Sequence, residues 1–210
     1  MSSFIDCRGK RIAIVGNAGS LLSANYGTEI DACDVVVRFN VAWPRTEHDA
    51  YIGTRTDVAV IVPQSNQKHR MCEYFANTLE QYKQANINSN HAPMDHVLWT
   101  QPQCKWKAKY GDPFTSVNIQ FTHTIEAIDK ACSPNPPSSG ISAVGWFLME
   151  RANLGWSELL VYGWDFFASY DWQHGPDSGS PEGPHSSEKE RGWFLRQVDL
   201  GNLIWRKANE

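Results

Sequence analysis

The sequence predicts an α/β fold, a mostly parallel sheet with helices on both faces. Three observations lead there. Solid Val/Ile runs recur along the chain, as strands covered on both faces require. Helical patterns lie between these runs, so successive strands are joined by crossovers and run parallel. The first run ends in the small-residue loop Gly16-Asn17-Ala18-Gly19-Ser20, at the edge where open parallel sheets meet their ligands.

Taken in order, Arg11 to Val15 (RIAIV) is the first strand. Val35 to Phe39, Asp57 to Val62, His96 to Trp99, Val117 to Phe121 and Glu158 to Tyr162 are the others. Met71, Phe75, Thr78, Leu79 and Tyr82 share one face of a helix near Gln67 to Gln84. A short helix fits Thr124 to Ala131. A third begins after Pro137, with Ser138 or Ser139 as its cap and Ile141, Val144, Phe147 and Leu148 turned inward. Gly155 is its stop. The last helix is expected from about Ser186 to Lys207. The segment His174 to Pro184 (HGPDSGSPEGP) is too rich in Gly, Pro and Ser for a regular element. It follows the last predicted strand, which makes it either a candidate active-site loop or a plain connector. No internal repeat occurs, and residues 1–210 read as one domain.

Composition narrows the function. Hydrophobic residues at 41% and charged residues at 20% are ordinary for a globular chain and exclude a disordered one. A net charge of -4 excludes a polybasic nucleic-acid binder, because duplex affinity rests on neutralising phosphates. Binding of a single nucleotide stays open. Nine Trp residues are many; such rings line sites for flat rings and sugar faces, but most simply pack. The five cysteines, Cys7, Cys33, Cys72, Cys104 and Cys132, are widely spaced, with no CxxC, so a zinc ribbon is not expected. They read as reduced thiols of a cytoplasmic protein. The stretch Met1 to Arg8 lacks a basic region followed by an apolar run, and no run approaches membrane-spanning length, so neither signal peptide nor transmembrane segment is expected.

Four pieces of sequence carry chemistry, and each has an ordinary structural alternative. The loop Gly16 to Ser20 offers backbone N–H groups to a phosphate or sugar, but lacks both the GxGxxG spacing and the lysine of a P-loop. Asn17 and Asn40 follow successive strands and could converge on one ligand, or each could tie down its own turn. Ser138-Ser139-Gly140 opens a helix and suits a ribose or phosphate, or serves as a plain cap. His185 stands at a helix start, where the positive dipole end disfavours imidazolium. That keeps it neutral and fit to act as a base. Glu190, five positions on, could orient the histidine or cap the loop.

Together these pieces resemble one family. Ile12 to Val62, with IVGNAGSLLSANYGTEIDACDVVVRFNVA and then Ile52-Gly53-Thr54-Arg55-Thr56-Asp57, is similar to the large sialyl motif. Pro137 to Phe167, PSSGISAVGWFLMERANLGWSELLVYGWDFF, resembles the small one. His185 and Glu190 match the very small motif, a His and a Glu separated by four residues. The chain is therefore identified as a member of the sialyltransferase family of eukaryotes, some viruses and some bacteria, glycosyltransferase family 29. The matching blocks cover about half of it.

The resemblance implies a Rossmann-like variant of the GT-A fold, a CMP-sugar donor, a glycan acceptor, inversion at the anomeric carbon, and neither metal nor other cofactor. It implies that Asn17 and Asn40 contact CMP, that Ser20 lies by the nucleoside, and that Ser138, Ser139 and Gly140 hold ribose and cytosine. Gly163 and Trp164 would close over the nucleoside, and His185 would be the base. His174 falls at the third-motif distance and would hydrogen-bond the leaving phosphate, although Gly175 and Pro176 replace the aromatic residues expected after it. The cysteine pair of vertebrate members is replaced by Ile12 and Trp156, so their disulfide is absent, in keeping with a reducing compartment. A Golgi location would require a membrane anchor that has been removed. Pro136 stands where a tyrosine is common. Sialic acid is the expected sugar, with 3-deoxy-octulosonate as the related acid. Two rival readings are a nicotinamide-dependent Rossmann oxidoreductase and a non-catalytic CMP or glycan binder.

Overall fold

A computed structural model describes residues 5–61, 71–94, 96–99, 118–121, 126–173 and 185–208. Seven strands form one sheet: β1 (Arg11–Val15), β2 (Val35–Phe39), β3 (Val58–Ile61), β4 (His96–Trp99), β5 (Asn118–Phe121), β6 (Glu158–Tyr162) and β7 (Ile204–Arg206). Their order is β5-β4-β3-β2-β1-β6-β7, and every pairing is parallel. The chain steps outward from β1 to β5, then returns to lay β6 and β7 on the other side of β1. This reversal is the switch point of the sheet, and it opens a crevice at the carboxyl ends of β1 and β6. The fold is thus the Rossmann-like α/β sheet expected.

The solid apolar runs are explained by two cores. Ile12 and Ile14 of β1, Val35 and Val37 of β2, and Leu159 and Val161 of β6 belong to the first. Ala13, Val15, Val36, Leu160 and Tyr162, the alternate positions, belong to the second. Strand side chains alternate between faces, so a strand covered on both sides must be apolar throughout. On the first face pack α4 (Glu126–Cys132), α5 (Ser139–Met149), α6 (Arg151–Leu154) and α7 (Ser187–Asp199), through Ile128, Val144, Phe147, Leu154 and Phe194. On the second lie α1 (Gly27–Asp31) and α2 (Asp49–Ile52), through Ile30 and Ile52. Ile12 and Trp156 are both in the first core.

Arg38 of β2 is wholly buried among these residues. Its Nε and Nη2 donate to the carbonyls of Arg55 at 3.0 Å and Ile52 at 2.6 Å, tying the turn before β3 to β2. Burial pushes its pKa down to about 10, which still leaves it charged at neutral pH.

The helix α3 spans Met71–Asn88, running further than the expected end at Gln84. The second predicted helix is α4, and the third is α5, capped by Ser138, whose Oγ accepts from Ile141 N–H at 3.3 Å. The stop expected at Gly155 does not end α5, which stops at Met149; Gly155, at φ 68°, ends the short α6. The last helix is a correction. It stops at Asp199, not Lys207, and the residues beyond form β7. Gly201, at φ 69°, supplies the left-handed stop. Among the described residues no helix is long and apolar enough to cross a membrane.

Candidate active site

At the switch point lies a cleft of about 310 Å³. Its floor is two loop starts pressed together. Gly16 N–H donates to Tyr162 O at 2.8 Å, and Ala18 N–H to Gly163 O at 3.2 Å. A Cβ on Gly16 would lie 2.4 Å from Gly163 O, and one on Gly163 would lie 2.9 Å from Gly16 O. No side chain fits at either position, and this contact is what keeps the floor open to a ligand. Asn17 lines the floor, and its Oδ1 is buried with no hydrogen-bond partner among the described residues. Asn40, at φ 50°, ends β2 and lines the same cleft. The two asparagines, adjacent only in the sheet, are thereby brought together.

The wall is the start of α5. Ser138, Ser139 and Gly140 line the cleft, and the Trp164 ring packs against Gly140. Trp164 also stacks on Phe194, centroids 5.8 Å apart, and meets Phe39 edge-on. Glu190, in the first turn of α7, is 1% exposed. Its carboxylate accepts from Ser138 N–H and Ser138 Oγ–H, both at 2.7 Å. Glu190 therefore joins the starts of α5 and α7.

His185 precedes α7. Its Nδ1 is 2.9 Å from Pro136 O. A carbonyl only accepts, so Nδ1 carries the hydrogen, and in the neutral ring Nε2 keeps its lone pair. The imidazole lies nearly parallel to the Phe167 ring, with 14° between planes and 6.0 Å between centroids. His185 and Phe167 both line the cleft.

Nine of the eleven candidate residues, Asn17, Asn40, Ser138, Ser139, Gly140, Gly163, Trp164, His185 and Glu190, thus share one cleft. Ser20 stands behind it, its Oγ donating to Asp165 Oδ2 at 3.1 Å. His174 and the rest of the His174 to Pro184 loop lie outside the described residues. Sequence reasoning missed Asp165, Phe166, Phe167, Ser169 and Asp171, all lining the cleft after β6. Their signal was position alone, at the carboxyl end of a strand beside the switch point. Phe166 and Phe167 take φ values of 57° and 65°, uncommon for residues with a side chain. Among the described residues no Lys or Arg lines the cleft. Among the described residues no group of three or more His, Cys, Asp or Glu could hold a metal ion.

Comparison with known proteins adds independent findings. The model of glycosyltransferase family 29 (sialyltransferase) matches residues 3–127, more than half of the chain. Beta-galactoside alpha-2,6-sialyltransferase 2 of Danio rerio is 30% identical over 155 residues, covering 67% of this chain and 29% of that protein. Its Homo sapiens counterpart is 29% identical over 146 residues, covering 63% and 27%. The chain thus spans about three tenths of the length of these relatives. Among solved structures, the sialyltransferase CstII from Campylobacter jejuni, in complex with the substrate analogue CMP-3FNeuAc, aligns with a TM-score of 0.62 at 14% identity, over 96% of this chain and 83% of that one. A mammalian sialyltransferase in complex with Gal-beta-1-3GalNAc-ortho-nitrophenol gives 0.60 at 18% identity, over 98% and 71%. At such identities the likeness is one of fold.

Proposed function

Since the chain belongs to glycosyltransferase family 29, the sialyltransferases, we propose that it moves sialic acid from CMP-sialic acid to a glycan hydroxyl, with inversion and without a metal. The observation that carries this reading is His185, held by Pro136 O through Nδ1 at the edge of the switch-point cleft. That contact leaves Nε2 as the proton acceptor. The acceptor hydroxyl gives its proton to Nε2 while its oxygen bonds to the anomeric carbon. The bond from that carbon to the phosphate oxygen breaks, and its electron pair leaves on CMP. General-base assistance of this kind contributes roughly 100- to 10,000-fold in rate.

CMP leaves with one more unit of negative charge than the phosphodiester carried. Asn17, Asn40 and the free N–H groups of Ser139 and Gly140 at the start of α5 would meet it. With no Lys or Arg among the described lining residues, the cleft suits a single phosphodiester better than a diphosphate. Glu190 acts on this site through Ser138, whose N–H and hydroxyl it fixes. His174 would assist the departing phosphate, as the family resemblance implies.

The test is a calorimetric titration with CMP followed by turnover of CMP-sialic acid and CMP-octulosonate, with and without EDTA. Micromolar to millimolar CMP binding and transfer that survives chelation are expected. Loss of transfer in EDTA, restored by manganese, would overturn the metal-free mechanism. CMP binding without transfer or donor hydrolysis would make the protein a binder only.

A further inference from the structure

The loop after β6 takes a costly path. Phe166 and Phe167 both hold left-handed backbone, at φ 57° and 65°. A Cβ in that conformation crowds the following carbonyl, so two such residues in succession persist only where packing over-determines them. Phe166 supplies that packing. It is 8% exposed, and its ring meets Phe194 of α7 and Trp205 of β7 edge-on, with centroids at 5.4 Å and 5.7 Å. Trp164, two residues earlier, stacks on the same Phe194. The loop is thereby tied to α7, the helix that starts two residues after His185.

This path delivers Phe167. Its ring lies 14° from the plane of the His185 imidazole, with centroids 6.0 Å apart, which is an offset stack. Among the described residues the imidazole makes one hydrogen bond, from Nδ1 to Pro136 O. One bond fixes one atom of the ring and leaves the plane free to turn about it. The Nε2 lone pair lies in that plane, so the plane decides where the base points. A general base must be within reach of the proton it takes and aligned with it. The flat face of Phe167 supplies the second constraint. A phenyl ring has no polar atom, so it competes for no proton and offers no hydrogen bond to a nucleotide.

We infer that Phe167 is a positioning residue for His185: its ring face fixes the imidazole plane and aims Nε2 at the acceptor hydroxyl. The inference rests on the function proposed above, since it takes His185 as the base.

The experiment compares the full chain with Phe167→Leu, which keeps apolar bulk and loses the flat face, and with Phe167→Tyr, which keeps the ring. Transfer kcat, the Kd for CMP and the nitrogen NMR shifts of the neutral His185 imidazole are read on each, the His185 signals being those lost in His185→Ala. In wild type Nδ1 should read as protonated and Nε2 as unprotonated. A ring free to turn loosens the Nδ1–H bond. Phe167→Leu should therefore move both shifts toward the average of the two tautomers. It should also lower kcat by about tenfold or more, with the Kd for CMP unchanged within about twofold. Phe167→Tyr should keep kcat within about threefold of wild type. Added to His185→Ala, Phe167→Leu should change kcat by less than about twofold, because a residue that acts through the imidazole has nothing left to act on. Wild-type kcat in Phe167→Leu overturns the inference. So does a loss of CMP affinity as large as the loss of kcat, or a further fall of about tenfold in the His185→Ala background. Averaged shifts already in wild type overturn it without any variant. Wild type that transfers no sugar overturns the proposed function instead, and the shifts of Phe167→Leu, unchanged or averaged, then still decide whether Phe167 holds the ring.

Discussion

Glu190 is a carboxylate with 1% of its surface in water, satisfied by two hydrogen bonds from one residue, Ser138. Gln in its place keeps the shape, but only one of its two terminal atoms accepts. Hydrogen bonds to charged groups contribute roughly 1.5–3 kcal/mol each, and Glu190→Gln should cost about that much. For a chain of this size the loss is about 2–4 °C in Tm per kcal/mol. Transfer should fall less than in His185→Ala, because Glu190 positions the wall and does not meet the acceptor proton. An unchanged Tm in a thermal melt would contradict the buried bond. The cysteines give a second check at this scale. Burial pushes the Cys7 and Cys132 thiols up to about 11 and raises Cys33 as well. Their folded pKa values exceed the unfolded ones, so their contribution to stability is complete below the unfolded value and declines as pH rises from about 9 toward 11. At pH 8 native Cys7, Cys33 and Cys132 should resist a thiol reagent, and all three should label once guanidinium is added. Peptide mapping that finds native Cys7 labelled within minutes would contradict their burial.

Among the elements, the joint between the loops after β1 and β6 is the least tolerant of change. Gly16→Ala forces a methyl to within 2.4 Å of Gly163 O, so the loops must part. Overpacking of this kind costs about 1–3 kcal/mol, and the damage falls on the cleft floor, so CMP affinity should drop with the Tm. Wild-type affinity and Tm in that variant would show that the floor is not rigid. Strands β1, β2 and β6 were legible because burial on both faces leaves a plain mark: RIAIV, VVVRF and ELLVY have no room for alternation. β7 was not. Ile204-Trp205-Arg206 is three residues long and partly exposed, and it reads as the tail of the preceding helix. The glycine at 201 was the available signal, since a left-handed residue after Leu200 ends a helix. The loop after β6 escaped for a different reason. Asp165, Phe167 and Ser169 have no composition that marks a site, and only the fold carries them to the switch point. Ser20 shows the same limit, since the family resemblance implies it lies by the nucleoside but only the fold shows that its hydroxyl serves Asp165.

At the scale of the whole molecule, the sheet order brings residues from four distant stretches to one cleft: Asn17 and Asn40, Ser138 to Gly140, Gly163 to Asp171, and His185 with Glu190. Nucleotide and acceptor should occupy separate parts of it. On the proposed reading CMP would lie over the carboxyl ends of β1, β2 and β6, and His185, which stands before α7, would face the acceptor. Binding of CMP and transfer of the sugar should therefore come apart on mutation. The most direct measurement is His185→Ala, assayed for kcat with CMP-sialic acid and a galactoside acceptor and titrated with CMP in parallel. The expected result is a fall in kcat on the order of 100-fold or more, with the Kd for CMP unchanged within about twofold. Near-normal kcat would show that another group takes the proton. Loss of CMP binding would instead make His185 a phosphate ligand and not the base.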